Sequence, residues 1–251
     1  MHLTMNEWKA LNARITLFPT APLASSSFSA LEVYQKVWGV SPDSFQTQQN
    51  PILPSIAQGR RDGIMVHCLA HPSRIDLNLA PPPGETAELE LMFIEDQDKL
   101  YAELRKIIDV IAKGVILPSV SRVGLGLQFA TAKPNPEEAN KTLTQVMPPR
   151  YRTNLTNEED FIFQVNLQRK SKEVQDVTMN FITKWSVDKV QVFRMFPGPS
   201  FAGTLPTQIF IVASLALDYN SFAEKLLNPE DQSRLLLECL TEASAMQRTL
   251  N

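Results

Sequence analysis

The run Arg74-Ile75-Asp76-Leu77-Asn78-Leu79 alternates polar and apolar side chains without a break. Successive side chains of a strand point to opposite faces, so this strand has one face to bury and one that stays in water. A chain built from such strands needs an antiparallel sheet covered on one side, and a helix with a single apolar stripe is the simplest cover. One follows at 96–113, where Leu100, Leu104, Ile107, Ile108 and Ile111 recur at helical spacing before Gly114.

The other elements read in the same way. "ARITLF" (13–18) is a strand that stops at Pro19, and "SALEVYQKVW" (29–38) is a short amphipathic helix with a serine start and Gly39 as its stop. An extended segment at 51–59 precedes "GIMVHCLA" and "RIDLNLA", which join at "HPS" as a hairpin, and "AELELMFI" (87–94) is a further strand. "SRVGLGLQFAT" (121–131) then begins a second series, with "PEEANKTLTQVM" (136–147) as its helix. Strands are expected at 160–168, 177–185, 188–195 and 207–219, and a last helix at 229–250, with Asn228 as cap and Pro229 in its first turn.

This order predicts an α+β fold built as a tandem repeat, β-α-β-β-β-β-α twice, over residues 1–118 and 119–251. Local echoes accompany it: Arg14-Ile15-Thr16-Leu17 with Arg122-Val123-Gly124-Leu125, Val37-Trp38 with Val146-Met147, and Arg74-Ile75-Asp76-Leu77 with Lys189-Val190-Gln191-Val192. Each half is expected to be an antiparallel sheet backed by its long C-terminal helix. The halves should join edge to edge or face to face as a pseudo-dimer, with the groove between them as the natural ligand or partner site.

The stretch Tyr34-Gln35-Lys36-Val37-Trp38, after an N-terminal strand and before a strand-rich region that ends in a helix, resembles the corresponding part of the SecB export chaperones and their antitoxin-associated relatives. The chain is also similar to a group of uncharacterised, sporadically distributed bacterial proteins of about this length. The shared features there are a mid-chain Arg-aliphatic-Gly strand, as in Arg122-Val123-Gly124-Leu125, and a final Asp-bearing strand plus long helix, as in Asp218 and 229–250. The first likeness implies a chaperone-like binder of other proteins, and neither transfers functional residues onto this chain.

"MVHCLAHPSRIDLNL" (65–79) places His67, Cys68 and His71 within five residues. A zinc site needs four N or S ligands, and a Cys nucleophile needs a base on its own side. In a hairpin, His67 and Cys68 point to opposite faces, so neither chemistry is expected. Under the repeat, the stretch corresponds to "MNFITKWSVDKVQVF", where Phe181, Ile182 and Trp185 replace His67, Cys68 and His71. There is no GxSxG elbow, GxGxxG or GxxxxGK[ST] motif, so no catalytic residue, metal or cofactor is assigned. The net charge of −3 supplies no broad field for nucleic acid or an anionic membrane, and no window reaches the roughly 18 apolar residues of a membrane span. With two widely separated cysteines and no signal-peptide pattern, the expected compartment is the cytoplasm.

Rings are richer in the second half, and "MFPGPSFAGTLP" (195–206) is a loop suited to recognition. The function expected is a non-enzymatic protein-binding or assembly module, chaperone-like in one version, whose partner is another protein or a further copy of itself. Its contact candidates are His67, His71, Arg74, Trp185, Phe196 and Phe201. The alternative is a small-ligand protein or enzyme using the cavity between sheet and helix, with His67, His71, Arg74 or Asp76 as its polar groups.

Overall fold

Each α-helix begins where a side chain supplies an acceptor for its unsatisfied first turn. Ser29 accepts from the Glu32 amide at the start of α1 (Ala30–Trp38), and Asp96 from Lys99 at α2 (Gln97–Ala112). Asn135 accepts from Glu138 at α3 (Pro136–Val146), and Asn228 from Asp231 at α4 (Pro229–Gln247). Gly39 (φ 71°) and Gly114 (φ 69°) take the left-handed conformation just beyond α1 and α2. These positions come from a computed structural model, which describes residues 8–23, 29–47, 55–84, 89–152, 161–193 and 207–250.

The strands are β1 (Lys9–Pro19), β2 (Ser44–Gln46), β3 (Ser55–Arg61), β4 (Ile64–His71), β5 (Arg74–Ala80), β6 (Val120–Lys133), β7 (Ile162–Lys170), β8 (Thr178–Phe193) and β9 (Thr207–Ser221). They form one antiparallel sheet in the order β2-β3-β4-β5-β1-β6-β9-β8-β7. The junction β1–β6, register Ile15↔Leu125, carries the sheet continuously across residues 118 and 119.

Following the registers sideways gives rows of side chains on one face. Ala57, Cys68, Leu77, Ile15, Leu125, Tyr219, Phe181 and Leu167 form a row from β3 to β7. Its members up to Phe181 share one hydrophobic cluster with Val33 of α1, Leu104 of α2, Leu143 of α3 and Leu236 of α4. The helices therefore cover this face, and each fully buried Leu or Ile on it contributes about 1.5–3 kcal/mol. The adjacent row on the other face is Ser44, Gln58, His67, Asn78, Arg14, Gly126, Asp218, Ile182 and Asn166. It is polar or small at every position but Ile182, as the wet face of an antiparallel sheet should be.

The structure departs from the expected elements in three places. Residues 177–185 and 188–195 are not two strands: Thr178–Phe193 runs unbroken, because β9 pairs alongside from Met179↔Ser221 to Phe193↔Thr207. Ser186-Val187-Asp188 contains no residue with positive φ to turn the chain, and Ser186 Oγ donates to Asp188 Oδ2 at 2.9 Å within the strand. "MNFITKWSVDKVQVF" is thus no hairpin, and its equation with 65–79 fails. The expected strand at 87–94 does not form either: residues 87 and 88 lie outside the described residues, and 89–93 are in no strand. Only Ile94 bridges, its amide donating to Ala10 O at 2.8 Å where β5 has already ended, and Asp96 then starts α2. Finally, β2 at 44–46 was not expected, and residues 51–54 of the extended segment lie outside the described residues.

Candidate functional site

The β4–β5 hairpin turns at Pro72-Ser73 with His71 opposite Arg74. The alternation along β4 buries Ile64, Val66, Cys68 and Ala70 and leaves Met65, His67, Leu69 and His71 half-buried on the open face. His67 lies between Gln58 and Asn78, and partial burial lowers its imidazole pKa. Cys68 faces the helices, where burial pushes its thiol well above the usual range and Asp76 adds to the shift. Among the described residues no group of three His, Cys, Asp or Glu side chains is placed to hold a metal ion.

Arg74 and Asp76 have a structural partnership. Asp76 is buried, with one oxygen 2.8 Å from Arg74 Nε and the other accepting from Thr16 Oγ1 at 2.8 Å. That pair and hydrogen bond are what a buried carboxylate requires. His67, His71, Arg74 and Asp76 all sit on the face away from the helices, so they do not line a cavity between sheet and helix. Trp185 lies on the covered face, 2% exposed, with its ring 5.9 Å from Phe163, which in turn meets Tyr151 at 5.1 Å. A partner docking on the described surface does not reach it. Phe196 and Phe201 fall outside the described residues.

A cluster that joins Tyr34 and Trp38 to the distant Arg61 and Glu103 surrounds the C-terminal end of α1. The Tyr34 and Trp38 rings meet at 4.5 Å, tilted by 43°, the Arg61 guanidinium lies 5.3 Å from the centre of the Tyr34 ring, and Trp38 Nε1 donates to Glu103 Oε1 at 2.5 Å. Burial raises the Tyr34 hydroxyl, partly offset by Arg61. A shallow cleft beside it is lined by Arg61, Asp62, Ile64, Lys99 and Glu103. Glu103 on its wall is engaged by Trp38 and by Lys106 at 3.5 Å.

The sheet's two ends differ more than its two faces. At the first end β2 is three residues long, the Asp43 amide donates to Gln58 O at 2.9 Å, and Asp43 Oδ2 accepts from the Arg60 amide at 2.6 Å. At the other end β7 is nine residues long and pairs with β8 without a register shift from Ile162↔Ser186 to Lys170↔Thr178. The amide of Val187 donates to Phe161 O at 3.0 Å and that of Ser171 to Val177 O at 2.8 Å, so odd-numbered residues direct their backbone groups toward β8. Ile162, Gln164, Asn166, Gln168 and Lys170 then direct their N–H and C=O groups outward, and among the described residues no strand lies beyond them. Ile162 is 63% and Leu167 54% exposed. β8 and β9 also run on past their neighbours as a two-stranded arm, on which Ile209 is 63% exposed.

A sequence signal for this edge exists in the uncharged Gln164, Asn166 and Gln168 that alternate with Phe163, Val165 and Leu167. It identifies a strand but not an edge strand, because strand order is settled by distant pairings. The chain has no match among protein-family models, curated proteins or solved structures.

Proposed function

We propose that this chain is a non-enzymatic protein-binding or assembly module that takes an extended segment of its partner as an added strand along β7. The observation that carries the reading is the row of outward backbone groups at residues 162, 164, 166, 168 and 170, uncapped among the described residues and flanked by exposed Ile162 and Leu167. Unpaired edges template further strands, and added-strand recognition draws affinity from backbone bonds and selectivity from alternate side chains.

The scaffold belongs to the same proposal as a tandem repeat over 1–118 and 119–251, closed into a pseudo-dimer. Its support is the strand order, which reads β3-β4-β5-β1 inward from one end and β7-β8-β9-β6 from the other. The shared caps of α1 and α3 and the packing of α2 on α4 accord with it. On this reading β2 is an addition to the first half without a counterpart among the described residues of the second. A cytoplasmic location is the simplest setting for the free buried thiols of Cys68 and Cys239. Among the described residues no helix is long and apolar enough to cross a membrane.

The test pans a phage-displayed random peptide library against the protein. Selected peptides are expected to slow amide exchange at Gln164, Asn166 and Gln168 and to lose binding to Asn166→Pro, which removes an outward backbone donor and, with it, only an exposed side-chain bond to Asn180. Peptides indifferent to Asn166→Pro would move the site elsewhere and end the edge reading. The chaperone-like version demands one more result, suppression of aggregation of a chemically denatured client, and is dropped if aggregation proceeds unchanged.

A further inference from the structure

We propose that the strand added to β7 is β7 of a second copy, paired antiparallel about a two-fold axis at Asn166. This rests on the edge reading and names its occupant. Asn166 is the midpoint of Ile162–Lys170, and the outward residues are distributed symmetrically about it. Antiparallel pairing centred there sets Asn166 against its own copy, Gln164 against Gln168 and Ile162 against Lys170, each a pair that exchanges both backbone bonds.

The side chains suit that register. Between the bonded pairs, Val165 meets Leu167 on the helix face, which covers the 54% exposed leucine with an apolar neighbour. Phe163 meets Arg169, whose guanidinium already lies 4.3 Å from the centre of the Phe181 ring and pairs with Glu242 at 2.5 Å. No like charges stand opposite one another. The two Lys170 side chains end up about 26 Å apart along the strands, well beyond the screening length of ~8 Å. Pairing in this sense also keeps both helix layers on one side and repeats at the edge the antiparallel junction that β1 and β6 make at the centre. From Ile162 to Gln168 the strand has no proline, charge or bulge to oppose such pairing. The opposite end cannot do the same, because β2 offers only three residues and Asp43 occupies the next outward amide of β3.

Sedimentation equilibrium over a concentration series reads the result directly against the monomer mass of 28.2 kDa. A dimer of twice that mass is expected. Asn166→Pro should raise its dissociation constant about twenty-five-fold, from two symmetry-related bonds at about fivefold each, while the variant remains folded by circular dichroism. The pair Gln164→Lys with Gln168→Lys sets lysines opposite each other twice and should also dissociate it, whereas Gln164→Glu with Gln168→Lys should retain it. That contrast holds even if proline perturbs the strand. A monomer at every concentration, or a dimer insensitive to both disruptive variants, overturns the proposal. If the protein is monomeric while selected peptides still require Asn166, the second copy is wrong and the edge reading stands.

Discussion

The two ends of this sheet solve the same physical problem in opposite ways. A terminal strand exposes backbone donors and acceptors that will pair with any strand that reaches them. At the β3 end a three-residue strand fills part of the gap, and the Asp43 carboxylate takes the Arg60 amide where β2 has ended. Arg61 reinforces the closure, bonding to Ser41 O at 2.7 Å and lying 3.6 Å from Asp43. Helix α1 also packs directly on β3 and β4, while α3 packs on β6, β8 and β9 and makes no comparable contact with β7. Among the described residues, the β7 edge has neither an added strand nor such a carboxylate. In a protein whose halves we propose to be copies, that difference separates an end kept closed from an end kept available.

The largest effect that bears on this contrast is expected at Gly59. A Cβ there would stand 2.5 Å from the Tyr34 hydroxyl and 3.1 Å from Asp43, and the fully buried Tyr34 ring has no room to retreat. Gly59→Ala should therefore lift α1 from β3 and cost about 1–3 kcal/mol in urea unfolding. An unchanged midpoint would mean that α1 does not hold the closed end. Next in size is Asp43→Ala, expected to cost about 1 kcal/mol by leaving the Arg60 amide without its carboxylate. Its sharper readout is hydrogen exchange, where the Arg60 amide should move from protected toward the fast rates expected at Gln164, Asn166 and Gln168. If those three amides are as protected as Arg60 in the wild-type monomer, the ends are not different and the comparison collapses.

How much of this the sequence announces depends on how local the cause is. The helix starts are legible because Ser29, Asp96, Asn135 and Asn228 act on amides three residues away. The hairpin at Pro72-Ser73 is legible for the same reason. The sequence reads as two strands parted at Ser186-Val187, yet a strand continues wherever a partner runs beside it, and β9 does so from Met179 to Phe193. The ends of the sheet were not legible at all. Whether "IFQVNLQRK" is central or terminal depends on β8 and β9, and the guard at Arg60 comes from a residue 17 positions away. Of the side chains proposed as contacts, His67, His71 and Arg74 share the open face as the alternation requires, but Trp185 belongs to the core because a one-residue change of register exchanges the faces of a strand.

That slip also sets up the smallest effect. In the polar row, His67 lies two strands in from the closed end and Ile182 one strand in from the open end. The tandem reading had equated His67 with Phe181, which is on the opposite face. His67 is the member of the row whose charge can change near neutral pH, and burial lowers its imidazole pKa in the folded state. The unfolded chain, with an imidazole pKa of about 6.5, therefore takes up the proton first as pH falls. Stability should be full above that value and decline below it, until the folded state also binds the proton. Comparing thermal unfolding of wild type and His67→Gln between about pH 8 and about pH 5 should show the variant losing less, while the other titrating groups cancel in the difference. A steeper acid loss in the variant would mean that the folded state favours the charged imidazole, and His67 would then have an acidic neighbour on the open face rather than only Gln58 and Asn78 beside it.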